Sequence, residues 1–350
     1  MTIHEHDVGT ARIRVHVRDT DPEGASEHLP VLMVHGNCSS SAFFHHLLGA
    51  LPGGRRGIAP DLRGYGDTEP APIDATRGMR DFSDDLVALL DALGIGQVDV
   101  VAHSAGAGVV MQLAVDHPGR VGRMLLEAPA SPYGFGGTKD VAGTPHWPDF
   151  AGSGGGTANP DFAAAIAAGD RSTDTPVSPL SVFRQTYVAA GAQVEDEDLL
   201  LDSVLSTRIG EDHYPGDTTT SENWPGVAPG TAGMNNALSP RYYDLSTFAD
   251  VRGVGPVAWV RGDADVIVSD TSLLEFGHLG SLGAVPGWPG PEVYPAQPMV
   301  GQTRAVLDAF ASNGGSYEEI VLPGIGHSPH LEDPERFRAI LADLLDRPAA

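Results

Sequence analysis

The sequence predicts an α/β fold in which a mostly parallel sheet is covered by helices on both faces. Three observations carry this. Short apolar runs alternate with helix-length segments, a section of about 120 residues without a strong strand interrupts them once, and chemistry-bearing residues follow the ends of the apolar runs.

The elements follow in order. "ARIRVHVRD" alternates from Ile13 to Val17 as a half-buried strand does, whereas "PVLMVHG" is continuously apolar, as in a strand covered on both faces. "SAFFHHLLGAL" can form a helix, and "RRGIAPDLRGYGDTEP" a short strand and a turn-rich loop. In "MRDFSDDLVALLDALGI", residues Phe82, Leu86, Leu89, Leu90 and Leu93 share one helical face. "QVDVVAHS" is the next buried strand, "AGAGVVMQLAVDHP" a helix stopped near Pro118, and "VGRMLLEAP" another strand. Two further strands, "GPVAWVRGD" and "YEEIVLPGIGH", come much later, before a final helix in "DPERFRAILADLLD".

The core is therefore split into residues 1–130 and 251–350, with an insertion at 131–250. The insertion's helical segments, "NPDFAAAIAAGD", "SPLSVFRQTYVAAGAQ" and "EDEDLLLDSVLSTRI", predict a mainly helical cap over the C-terminal edge of the sheet. A second, Gly- and Pro-rich insertion at about 275–298 is expected at the rim of the site.

The chain has 350 residues and a formal charge of −25, from 21 basic and 46 acidic side chains. That charge opposes nucleic acid and anionic membrane as partners, since both require positive surface. The expected partner is a small molecule, and a homodimer is left open. Cys38 is the one cysteine, which excludes an intrachain disulfide and a cysteine metal cluster and fits a reducing compartment. The N-terminus lacks a basic region followed by an apolar run, and no segment reaches the roughly 18 apolar residues of a membrane span. A cytoplasmic protein is expected.

"VDVVAHSAGAGVV" places Ser104 where a strand meets a helix. A serine becomes a nucleophile when a base takes its proton and a sharp turn makes it protrude; that turn crowds the residues two before and two after it. Here they are Ala102 and Gly106, so "AHSAG" meets the demand with Ala in place of the first Gly of G-x-S-x-G. The base is expected after the last strand, where His327 directly follows a glycine-flanked turn; His330 is the alternative. An acid must orient that imidazole. Asp265, after "PVAWV", is the first candidate, with Glu127 and Asp263 as the others. Two backbone N–H groups should hold an oxyanion: Ala105, at a helix start, and Asn37, with Cys38 as its alternative. His35, His103, Phe183, Tyr187, Trp224 and Met234, together with Cys38, are the candidate substrate contacts.

The order Ser104, Asp265, His327, with "HGNCSS", "DLRGYGDTEP", "VAHSAGAG", "RGDADVIVS" and "GIGHSPHLEDPERF", resembles the α/β-hydrolase superfamily over about residues 10–130 and 250–348. That resemblance implies a mostly parallel eight-stranded α/β-hydrolase sheet, a nucleophile elbow and no cofactor or metal. "HGNCSS" and "DLRGYGDTEP" look like the corresponding loops of haloalkane dehalogenases and epoxide hydrolases, which carry aspartate at the elbow because their first step alkylates a carboxylate. With Ser104 there, the expected chemistry is acyl transfer to serine and hydrolysis of a carboxylic ester or lactone, with a hydrophobic or aromatic substrate. Carbon–carbon bond hydrolysis by the same triad is the enzymatic alternative, for which Arg184, Arg208 and Arg241 are available cations. Amide hydrolysis and a cofactor-free haloperoxidase side activity stay open. A ligand-binding protein on a hydrolase scaffold is the non-enzymatic alternative.

Overall fold

A computed structural model describes residues 1–24 and 26–349. Eight strands form one sheet: β1 (His4–Gly9), β2 (Arg14–Asp19), β3 (Val31–Val34), β4 (Gly57–Pro60), β5 (Val98–His103), β6 (Val121–Glu127), β7 (Val257–Gly262) and β8 (Tyr317–Leu322), in the order β1-β2-β4-β3-β5-β6-β7-β8. β1 and β2 pair antiparallel at one edge, β2 meets β4 antiparallel, and the rest is parallel. The continuously apolar strands are central: β3 and β5 are buried along their whole length. β1, "HEHDVG", has an exposed polar face and escaped the apolar pattern that marks the others.

Helices cover both faces. On one, α1 (Arg80–Ala92) and α2 (Ala105–Asp116) bury Phe82, Leu86, Leu89, Val109, Val110 and Leu113 against the sheet. Full burial of each such side chain contributes about 1.5–3 kcal/mol. The opposite face is covered by Phe44, Leu47 and Leu48 from the segment after β3, and by Phe337, Leu341 and Leu344 from the last helix (Pro334–Asp346). A helix absent from the sequence reading, Met299–Ser312, joins the first of these cores through Val306, Leu307 and Phe310. Its apolar positions 299, 306, 307 and 310 follow the helical period, so the signal was present.

Between β6 and β7 the chain leaves the sheet. This insertion contains the three expected helical segments: Pro160–Ala167, with the Asn159 side chain capping the Asp161 N–H and Pro160 at the first turn; Pro179–Val182, running into one π turn, Phe183–Tyr187; and Glu197–Leu205. Two short two-stranded ladders, Ile209–Gly210 with Tyr214–Pro215 and Thr218–Thr220 with Val227–Pro229, accompany them. Its own apolar cluster, including Phe162, Ile166, Leu200 and Val204, continues into Phe43 and Leu331 of the core.

The second insertion begins at Glu275, whose buried carboxylate accepts the N–H groups of Gly277 and His278 and so caps the helix Phe276–Ser281; burial raises its pKa. The aromatic side chains of both insertions lock together. Trp147 Nε1 donates to the Trp224 carbonyl, Trp224 Nε1 to that of Pro286 and Trp288 Nε1 to that of Tyr294, each at 2.9 Å, and Tyr294 stacks on His146 at 3.6 Å. Among the described residues, no helix is long and apolar enough to cross a membrane.

Candidate active site

Ser104 sits between the end of β5 and the first turn of α2, half-buried, at φ 55° and ψ −121°, a conformation that L-residues rarely adopt. Its N–H donates to the Glu127 carbonyl at 2.9 Å, and its carbonyl accepts from Ala107 and Ala130. The small neighbours are sterically required. A Cβ on Gly106 would lie 2.3 Å from the His35 carbonyl oxygen and 2.4 Å from that of Val34, and one on Gly36 would lie 2.9 Å from the Ser104 Cβ. Backbone atoms cannot turn aside as a flexible side chain can. Gly106→Ala is therefore expected to cost about 3 kcal/mol, read as a lower urea midpoint with an unchanged denaturant slope.

The structure brings His327 and Asp265 together. His327 Nδ1 lies 2.8 Å from Asp265 Oδ2, and the other oxygen, Oδ1, accepts the N–H groups of Ile267 and Val268 at 2.7 and 3.0 Å. Those bonds fix the carboxylate from its own loop, just after β7, and both side chains are buried. Of the other acids considered, Asp263 accepts the Gly324 N–H at an exposed turn, and Glu127 pairs with His330 instead. His103 Nε2 donates to the His327 carbonyl at 2.9 Å. Burial, with His327 and His330 nearby, lowers the His103 pKa well below that of a free imidazole, so this ring is neutral. The His327 loop is also held by Glu332, which accepts the N–H groups of Gly326 and Ser328 and, from the first insertion, of Ala189.

The loop after β3 completes the surroundings of Ser104. Asn37 Oδ1 accepts the Tyr65 hydroxyl at 2.6 Å and the Cys38 N–H at 3.0 Å, while Nδ2 donates to Asn235 of the first insertion at 3.1 Å. The Tyr187 hydroxyl donates to the Asn37 and Cys38 carbonyls. The Cys38 N–H is thus occupied, whereas those of Asn37 and Ala105 have no acceptor among the described residues. Burial raises the Cys38 thiol to about 12, so it is un-ionised at neutral pH. Tyr65 and Asn235, which hold this loop from either side, carried no signal in the sequence.

Ser104 and His327 line one cavity of about 400 Å³. Asn37, Cys38, His103, Ala105 and Tyr187 share its wall with other residues such as Phe162, Val182 and Tyr214 of the first insertion and with Leu273, Leu274 and Leu279 from the segment after Asp265. Four expected contacts lie elsewhere. His35 Nε2 accepts the Leu62 N–H and its Nδ1 faces the Gly36 carbonyl; Phe183 packs edge-on against Phe43; Met234 is wholly buried in the main core; Trp224 belongs to the aromatic lock between the insertions. Side chains competent to ligate a metal converge at His16, Asp61 and Asp67, outside this cavity. There the Asp61 carboxylate already accepts the Ser41 and Asp67 N–H groups, as a turn staple does.

The family model described as "alpha/beta hydrolase fold" matches residues 30–159. A 2-hydroxymuconate semialdehyde hydrolase of Pseudomonas sp. (strain CF600) is 38% identical over 119 residues, 33% of this chain and 40% of that protein. Epoxide hydrolase 2 of Siraitia grosvenorii is 44% identical over 77 residues, 22% of this chain and 24% of its own length. The chain thus spans well under half the length of the curated relatives it matches. Among solved structures, carboxylesterase CesB (YbfK) from Bacillus subtilis superposes with a TM-score of 0.59 at 14% identity, covering 99% of this chain and 92% of its own. The chain thus has the α/β-hydrolase fold, and its residues 30–159 match the model of that family.

Proposed function

We propose that the protein is a serine hydrolase that cleaves an uncharged carboxylic ester or lactone with a hydrophobic or aromatic body. One observation carries this reading: among the described residues, no Asp, Glu, Lys or Arg lies in the wall of the cavity that Ser104 and His327 share. A substrate bearing a formal charge would lose its hydration there without gaining a partner. Leu273 and Leu274 line the cavity and are also exposed, which suits an apolar group entering over them.

In the proposed reaction His327 Nε2 takes the Ser104 proton as Oγ attacks the carbonyl carbon. Asn37 and Ala105 N–H groups receive the oxyanion, and Asp265 steadies the imidazolium. His327 then protonates the leaving alkoxide, and a water molecule deprotonated by His327 releases the acid and restores Ser104.

Carbon–carbon hydrolysis has the support of the 2-hydroxymuconate semialdehyde hydrolase likeness. A dienoate substrate, however, carries a carboxylate that needs a cation. Arg184 is paired with Glu197 at the surface, Arg208 and Arg241 are exposed, and none of the three lines the cavity. A panel of p-nitrophenyl esters of rising acyl length, with aryl esters, lactones and an anionic dienoate, tests the choice. Neutral esters or lactones are expected to turn over with kcat/KM at least about tenfold above any carboxylated member; preferred cleavage of the dienoate would overturn the ester reading.

A further inference from the structure

We propose that the buried Glu127–His330 pair is a positioning device for the base, setting the His327 ring against Ser104 as a proton-sharing, electrically neutral unit. The proposal rests on the serine-hydrolase reading. Both side chains are essentially inaccessible, at 0% and 1% exposed, and neither lines the Ser104 cavity.

The pair closes a circuit around nucleophile and base. The Ser104 N–H donates to the Glu127 carbonyl, and Glu127 Oε1 accepts the His330 N–H at 2.7 Å and faces His330 Nδ1 at 2.8 Å. His330 lies three residues beyond His327, whose carbonyl accepts from His103 Nε2, and His103 immediately precedes Ser104. Every step of that ring is a hydrogen bond or a few residues of chain. Moving the His330 end therefore displaces the His327 loop relative to the serine. The His330 ring is itself immobilised between Phe44, at 4.9 Å between ring centroids, and Phe337, at 5.9 Å.

The partners also fix the proton count. His330 Nε2 lies 3.0 Å from the Phe43 carbonyl, which can only accept, so this nitrogen carries a hydrogen. One proton then lies between Nδ1 and Oε1. Whether it sits on nitrogen or oxygen, the pair carries no net charge beside His103, whose ring centroid is 5.5 Å from that of His330 and 4.8 Å from that of His327. Glu127 Oε2 has no hydrogen-bond partner among the described residues. The Glu127 side-chain hydrogen bonds therefore run through Oε1, to His330.

The test uses the full chain, with an ester that the wild type hydrolyses and the rate of Ser104 labelling by a fluorophosphonate. Glu127→Leu is expected to lower kcat and the labelling rate together by about 100-fold, with KM unchanged. Glu127→Gln can keep an oxygen in the place of Oε1 as acceptor for the His330 N–H, but that amide oxygen holds no proton to share with Nδ1, so a loss smaller than that of Glu127→Leu is expected. Should Glu127→Leu fail to fold, His330→Phe, which keeps the ring packing and removes both nitrogens, must show the same loss. Wild-type kcat in a folded Glu127→Leu or His330→Phe protein overturns the proposal, as does a loss confined to KM or a Glu127→Gln protein as impaired as Glu127→Leu. A wild type that neither hydrolyses an ester nor is labelled overturns the hydrolase reading, and this inference with it.

Discussion

Ser104→Ala is expected to lower ester turnover by about 10⁶-fold while leaving the melting temperature at the wild-type value. The two halves have separate causes. The Ser104 side chain makes no capping hydrogen bond to α2, and alanine inherits the same backbone conformation at φ 55°, so neither state of the folding equilibrium gains or loses a contact of consequence. Turnover, in contrast, loses the atom proposed to form the acyl-enzyme bond, and what is left is binding plus the unoccupied Asn37 and Ala105 N–H donors. Activity against the p-nitrophenyl panel, set beside a thermal melt, checks both halves. A folded Ser104→Ala protein with near-wild-type activity would assign the chemistry to another residue.

Asp265→Asn is expected to cost about 10⁴-fold in kcat with little change in KM. Asparagine can keep Oδ1 as acceptor for the Ile267 and Val268 N–H groups, so the loop need not move. The atom in the place of Oδ2 then becomes an amide nitrogen that donates to His327 Nδ1. That bond favours the tautomer with its hydrogen on Nε2, and a protonated Nε2 cannot accept the Ser104 proton. The imidazolium formed during attack also loses its carboxylate. A pH–rate profile with the best panel ester measures the loss; an Asp265→Asn enzyme within tenfold of wild type would remove Asp265 from the proposed triad.

Much of this architecture was legible because buried parallel strands must be apolar on both faces. "PVLMV" and "VDVVAH" had no other easy reading, and small residues at 102 and 106 around a serine are what a sharp strand-to-helix turn demands. β1 was invisible for the converse reason, since an exposed edge strand has half its positions in water and its "HEHDVG" resembles a loop. The first insertion was legible as helices but not as a surface. Phe183, Trp224 and Met234 are apolar in the right section of chain, yet which face each turns to the cavity is decided by packing between distant segments, as in the lock of Trp224 against Pro286 and Tyr294. Glu127 and His330 each had the right chemistry for a triad member; only the fold could reveal that they satisfy one another.

The most direct measurement is the intact mass of the folded protein after exposure to a fluorophosphonate at neutral pH. One adduct on Ser104 is predicted, absent in Ser104→Ala and formed far more slowly in His327→Ala. An unmodified wild type, or an adduct that persists in Ser104→Ala, would contradict the assignment of Ser104 as the nucleophile.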